Sequence, residues 1–272
     1  MYLHVRGRRP DGYHELDSLV VFPEFGDEVS LRPAKALELV VEGPFAGALA
    51  DTPPEKNLAM RAAALLLHEA DGAPEFEIRL RKNVPLGAGL GGGSADAAAV
   101  LLLLNERLGL QLDRAELRGL GLRLGADVPA CLESASVFFG GVGEIIDPAP
   151  ALPRMHLVLV WPGRALATAE VFRAKSSRTT AARPAVAGLT LEQLIDVLRP
   201  TTNDLQAAAR TLLPAIGDAL DALGATRECL LVRMTGSGSA CFGICATEAQ
   251  AHAAAATVRA AHPTWWTTAV AT

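Results

Sequence analysis

The chain has 272 residues, half of them hydrophobic and a fifth charged, which is enough to bury roughly three quarters of the unfolded surface in one or two packed bodies. Thirty acidic against 25 basic side chains leave a net charge of -5, which argues against a broad nucleic-acid surface while allowing a local pocket for a small anion. The four cysteines lack C-x2-C pairing, no apolar stretch reaches the ~20 residues of a membrane helix, and MYLHVRGRRPDGYHEL carries no apolar signal segment, so a soluble cytoplasmic protein without structural zinc is expected.

Residues 2–6, about 13–22, 27–32 and 37–41 read as short strands separated by Gly, Pro and Asp turns. NLAMRAAALLLHEA, from Asn57, has helical propensity and apolar spacing, and Asp71-Gly72-Ala73-Pro74 stops it. EFEIRLR then alternates, placing Phe76, Ile78 and Leu80 on one face of a half-buried strand. A glycine loop leads into a small-residue helix from about Ser94 to Arg107. The next helix, 113–124, opens with Asp113 and Glu116 in capping-box spacing. SVFF and HLVLVW are strand-like, and a helical region over 190–222 is interrupted by Pro200 and Pro214. CLLVRM, Thr235-Gly236-Ser237-Gly238-Ser239 and ACFGIC read as strand, glycine turn, strand, with Cys241 and Cys245 as ordinary small buried hydrophobes. A helix over 247–261 and a strand near 267–271 follow. The stretch 174–188 is the best linker candidate.

Five glycines in the seven positions Gly87 to Gly93 cost helix stability, about 1 kcal/mol each, so they predict a loop whose backbone approaches a ligand closely. Backbone N–H groups at the start of the Ser94 helix suit phosphate, while a purely structural tight turn is the alternative. Gly87, Gly89 and Gly92 also satisfy G-x-G-x-x-G, but several strands precede the loop and the acidic residue of a dinucleotide site is missing. A Walker-type loop fails as well, because Gly93 precedes Ser94 where a lysine is needed.

Asp127, in Gly125-Ala126-Asp127-Val128-Pro129, stands at a helix end before a residue that Pro129 holds out of the helical region. Its carboxylate could orient or deprotonate a hydroxyl, or merely cap the helix and bind a neighbouring base. The turn from Arg6 to Glu15 exposes bases beside Tyr13 and His14, either as a solvated turn or as a seat for a heteroaromatic ligand.

PLGAGLGGGSADAA, from Pro85 to Ala98, and MTGSGSACF, from Met234 to Phe242, resemble the two glycine motifs of the GHMP kinase superfamily. GRRPDGYHELDSL, LGADVPACL and GVGE are similar to the branch that acts on a diphosphocytidyl sugar alcohol in the non-mevalonate isoprenoid pathway, and the resemblance covers nearly the whole chain. It implies an α+β, two-lobed fold, with an ATP-binding lobe over 1–150 resembling ribosomal-protein S5 domain 2 and a ferredoxin-like lobe over 151–272. ATP and Mg2+ are implied, with a small-molecule substrate between the lobes, no nucleic-acid or membrane partner, and a monomer or weak homodimer. Pro85, Leu86, Gly87, Ala88, Gly89, Leu90, Gly91, Gly92, Gly93, Ser94 and Ala95 would wrap the ATP phosphates, with Ser94 also near the metal. Asp127 would act on the acceptor hydroxyl. Tyr13 and Phe172 would sandwich the cytosine, His14 would read its edge, Thr168 would flank the pocket, and Thr235, Gly236, Ser237 and Gly238 would close it.

The same resemblance expects an A-K-x-N segment ahead of the first strand, whose lysine pairs with the catalytic aspartate. Met1-Tyr2-Leu3-His4-Val5 aligns just after it, so a truncated start is expected ahead of replacement by a base such as Arg6. Other GHMP kinases, a nucleotide-binding protein without turnover and an oxidoreductase are the competing readings.

Overall fold

The computed structural model describes residues 1–69, 76–175 and 181–272. The predicted Asp71–Pro74 stop and residues 176–180 of the predicted linker lie outside them. In chain order the elements are β1 (Tyr2–Arg8), β2 (His14–Val20), β3 (Glu28–Pro33), β4 (Glu38–Glu42), α1 (Leu58–Glu69), β5 (Phe76–Arg81), α2 (Gly92–Leu108), α3 (Arg114–Leu124) and α4 (Val128–Glu133). They continue with β6 (Val137–Gly141), β7 (Ile145–Pro148), β8 (His156–Trp161), α5 (Thr168–Ala174), α6 (Leu191–Leu198), α7 (Gln206–Leu212), α8 (Ala215–Gly224), β9 (Cys229–Met234), β10 (Cys241–Cys245), α9 (Glu248–Ala261) and β11 (Trp266–Ala271). The chain divides into a larger unit of residues 1–25, 87–90 and 135–272 and a smaller unit of residues 26–86 and 91–134.

The smaller unit is built on the sheet β3-β5-β4, in which β5 runs antiparallel to β3 and parallel to β4. That mixed pairing is not the parallel sheet of a dinucleotide fold. The alternation in β5 buries Phe76, Ile78 and Leu80 in one core with Ala62, Leu66, Leu101 and Leu104 of α1 and α2. Full burial of each such Leu or Ile contributes about 1.5–3 kcal/mol. The predicted Asp113–Glu116 capping box caps α3, with Glu116 N–H donating to Asp113 Oδ1 at 2.9 Å and Asp113 N–H to Glu116 Oε2 at 2.8 Å.

Two local expectations are corrected. α2 begins two residues before Ser94, because Gly91, in the left-handed region at φ 73°, ends the loop and lets Gly92 and Gly93 enter the first turn. Val128 is helical rather than excluded by Pro129, which takes the second position of α4, where its missing N–H costs nothing. Val128 is fully buried, and its methyl groups lie where a side chain on Gly121 would be, so packing overrides the pre-proline preference.

The larger unit holds two antiparallel four-stranded sheets, ordered β1-β2-β6-β7 and β11-β8-β10-β9. Both faces of the second sheet are covered. Val158 and Val160 of β8 enter a core with Leu205, Ile216 and Val258, whereas Leu157 and Leu159 face another with Leu19, Leu194 and Leu198. Double coverage explains why HLVLVW reads as a continuous apolar run rather than an alternating one. Among the described residues, no helix is long and apolar enough to cross a membrane.

Candidate active site

In the larger unit, the two glycine motifs meet. Ala240 N–H donates to Ala88 O at 2.8 Å, and Thr235 Oγ1 donates to Gly89 O at 3.3 Å. Gly89 has φ 74°, and a Cβ there would enter the van der Waals envelope of Gly238 O, so this crossing admits no side chain. Asn203 supports the turn from beneath, its Nδ2 donating to Met234 O at 2.9 Å and Gly236 O at 2.8 Å. Ser237 Oγ lies 2.8 Å from Thr168 Oγ1, so the turn also reaches the first residue of α5. Asn203 escaped the sequence reading because its turn is about 30 residues away along the chain.

The predicted aromatic seat lies in the same unit. Phe172 of α5 stacks on His14, with ring centroids 4.9 Å apart and planes 28° from parallel, while Tyr13 stands 65% exposed at the tip of the β1–β2 turn. Asp11 Oδ1 accepts from Tyr13 N–H at 3.0 Å and shapes this turn. Burial, with Arg8 and Lys175 nearby, lowers the His14 pKa, which favours a neutral imidazole with one donor and one acceptor nitrogen. Arg6, expected as a possible stand-in base, is engaged by Asp17 and by Ala181 O. Burial alone would raise the Asp17 pKa, but Arg6, Tyr2 and Arg183 together hold it below the ordinary value.

In the smaller unit, Pro85 and Leu86 lead toward the loop, and Gly91 to Ala95 open α2. The helical ladder starts with Ala95 N–H donating to Gly91 O at 2.9 Å, which leaves the amides of Gly92, Gly93 and Ser94 outside it. They stand at the positive end of a 17-residue helix. Asp127 is the N-terminal flanking residue of α4, yet its carboxylate makes no capping hydrogen bond, so the capping reading is not realised. It is solvent-accessible, but the protein around it still desolvates the carboxylate enough to raise its pKa.

Sequence reasoning missed Lys82. Its ammonium is buried, donating to Asp96 Oδ2 at 2.7 Å and to Asp27 Oδ2. Asp27 Oδ1 accepts from the amides of Asn83 at 2.6 Å and Val84 at 2.8 Å. The cluster therefore ties the exit of β5 to the opening turns of α2, on either side of the glycine loop in sequence. The signal was present: continuing the alternation Phe76, Ile78, Leu80 places position 82 on the buried face, where a lysine requires carboxylates.

Residues 57–134 match the family model "GHMP kinases N terminal domain", and residues 183–264 match "GHMP kinases C terminal". A 4-diphosphocytidyl-2-C-methyl-D-erythritol kinase of Paramagnetospirillum magneticum is 46% identical over 265 residues, covering 97% of this chain and 92% of its relative. A crystal structure of 4-(cytidine 5'-diphospho)-2C-methyl-D-erythritol kinase is similar at 35% identity and a TM-score of 0.77, covering 99% of this chain and 95% of that one. A homoserine kinase from Cytophaga hutchinsonii, 18% identical, shares the fold at a TM-score of 0.72, covering 100% of this chain and 94% of its own.

Proposed function

The chain belongs to the GHMP kinase family, in the branch of the 4-diphosphocytidyl-2-C-methyl-D-erythritol kinases, and from that membership we propose that it phosphorylates the 2-hydroxyl of 4-diphosphocytidyl-2-C-methyl-D-erythritol with ATP, yielding the 2-phosphate and ADP for isoprenoid precursor synthesis. The observation that carries the phosphoryl-transfer chemistry is the left-handed cap at Gly91, which leaves three amides unused by α2. Preorganised N–H donors stabilise the charge that spreads over a phosphoryl group in transit.

Pro85 to Ala95 cradle the ATP phosphates, and the Thr235–Gly238 turn buttresses Ala88 and Gly89 through the contacts described above. Asp127 orients the acceptor hydroxyl and takes its proton late in transfer, when bonding to phosphorus has made that oxygen acidic. Tyr13 and Phe172 hold the cytosine, the neutral His14 reads its polar edge, and Thr168 flanks it. His14 already covers one face of Phe172, so stacking of a base there requires the other face or a displaced imidazole.

Mg2+ fits the donor chemistry. Ser94 offers a hard hydroxyl oxygen, and among the described residues no group of three or more His, Cys, Asp or Glu side chains forms a ready cage. This suits an ion held largely by nucleotide phosphates, whose charge it neutralises when bound. The two family matches fall on either side of residue 150, which supports an ATP-binding domain over 1–150 and a C-terminal domain over 151–272; the S5-like and ferredoxin-like character of the two rests on the family resemblance. The protein acts in the cytoplasm on a small molecule, as a monomer or weak homodimer, without nucleic-acid or membrane partners.

The test combines the purified chain, ATP, Mg2+ and the cytidyl substrate, with ADP followed by a coupled assay and the product by phosphorus NMR. Substrate-dependent ADP and one new phosphomonoester signal are expected. Equal turnover of homoserine or mevalonate, or ATP consumption independent of the cytidyl substrate, would overturn the assignment.

A further inference from the structure

β9 and β10 carry three of the four cysteines, and two of them face each other across the ladder. Leu231 pairs with Ile244 and Cys229 with Cys245, so Leu230 is an extra residue in a bulge and projects outward, 40% exposed. In an unbroken register, Leu230 would oppose Cys245. The bulge instead brings Cys229 Sγ to 3.8 Å from Cys245 Sγ. Gly243 provides the room, because any side chain there would collide with the Cys229 sulfur.

The two thiols are unlike. Cys245 is fully buried, whereas Cys229 is partly accessible. The S–H of Cys245 donates to Cys229 and, with help from Thr226 and against burial and Glu228, lowers the Cys229 pKa to about 7. The same hydrogen bond, then burial, raises that of Cys245. Cys131 and Cys241 differ from Cys229, since burial pushes each thiol up to about 12. An accessible, thiolate-prone cysteine beside a second thiol is the arrangement of an oxidised cysteine with a resolving partner.

We propose that Cys229 and Cys245 form a hydroperoxide-responsive dithiol site, in which Cys229 is oxidised first and Cys245 closes an intramolecular disulfide. The Cys229 thiolate attacks one oxygen of hydrogen peroxide: the S–O bond forms, the O–O bond breaks, and hydroxide leaves. Sulfur is thereby oxidised to sulfenic acid as the peroxide is reduced. Cys245 then gives up its thiol proton and attacks the Cys229 sulfur; the S–S bond forms, the S–O bond breaks, and hydroxide takes the proton to leave as water. In sum, two thiols and one peroxide give one disulfide and two waters. Directly opposed residues on antiparallel strands have Cα separations of about 4.5–5.5 Å, within the range a disulfide spans.

The native chain is treated with a few equivalents of hydrogen peroxide, its thiols are titrated in denaturant, and its peptides are mapped without reduction. Two of the four thiols should disappear, one linked peptide pair should join Cys229 to Cys245, and dithiothreitol should restore both. Thiol loss should be roughly tenfold or more slower in Cys229→Ser. Cys245→Ser should accumulate a Cys229 sulfenic acid that dimedone traps. Thiol loss in the native chain without a 229–245 link, a link through Cys131, or a link between chains would overturn the proposal on the native protein alone, whether or not the variants fold.

Discussion

Asp127 begins α4 without capping it, which leaves its carboxylate free for chemistry at no expense to the helix. Asp127→Asn is therefore expected to lower kcat by about 10²–10⁴-fold with little change in KM, and a fall in folding stability of comparable weight would show that the side chain is structural instead. Tyr13 differs in kind, since an exposed ring at a turn tip holds no core together. Tyr13→Ala should raise KM for the cytidyl substrate by the ~1–3 kcal/mol that base stacking contributes, while leaving the melting temperature unchanged. His14 sets a pH limit. Its pKa lies below the ordinary value of 6.5, so at any pH less of the imidazole is protonated than in a free histidine, and the midpoint of its titration falls below 6.5. KM for the cytidyl substrate should rise as pH falls, with its midpoint below 6.5. In His14→Gln that rise should vanish, and a rise that persists would assign it to another group.

At the level of elements, the buried Lys82 cluster is where a single change should have its largest structural effect. Removing one partner of a buried, hydrogen-bonded charge group costs about 3–5 kcal/mol, so Lys82→Ala should lower the urea midpoint strongly. Asp96 provides a finer test. Burial is the largest influence on it and, despite Lys82, raises its pKa to about 6 from 3.8. The folded state thus holds this proton more tightly than the unfolded state does. The stabilisation it brings is complete below about pH 4 and disappears as pH rises through about 6, with a slope of at most about 1.4 kcal/mol per pH unit. The difference in stability between the native chain and Asp96→Asn should change across that window and level off above it. Elements that carry their own signal were legible in the sequence: the alternation of β5, the Asp113 cap of α3, and the glycine turn between β9 and β10. α5 was not. Its seven residues, Thr168–Ala174, follow Ala167 without a side-chain cap and bury only Val171, so a few tertiary contacts replace the periodicity that would have announced it. Lys82 and Asn203 were missed for a related reason, since a polar residue discloses its burial only through partners distant in sequence. The bulge that joins Cys229 to Cys245 lacked even that trace, because a one-residue shift in register leaves composition and alternation untouched.

For the whole molecule, the chemistry was more legible than the topology. The glycine motifs and the GRRPDGYHEL turn pointed to phosphate and cytidyl recognition, yet nothing in their spacing revealed that Gly87–Leu90 pack in one unit and Gly91 onward in the other. The chain passes from unit to unit at residues 25/26, 86/87, 90/91 and 134/135, so the larger unit is assembled from three separate pieces. One of its seams joins the first strand to residues near 200: Leu3 N–H donates to Thr202 O at 3.0 Å, Asp204 N–H to Leu3 O at 2.8 Å, and Val5 N–H to Asp204 Oδ2 at 2.8 Å. These bonds impose an order on biosynthesis. Every residue of the smaller unit is translated by position 134, while the β1 strand waits for a segment translated some 200 residues after it. Pulsed hydrogen exchange during refolding should therefore protect the amides of β5 and α2 before those of Leu3 and Val5, and the reverse order would mean that the seam forms early. Until it closes, β1 has an unpaired edge, which makes that strand a stretch in need of a chaperone.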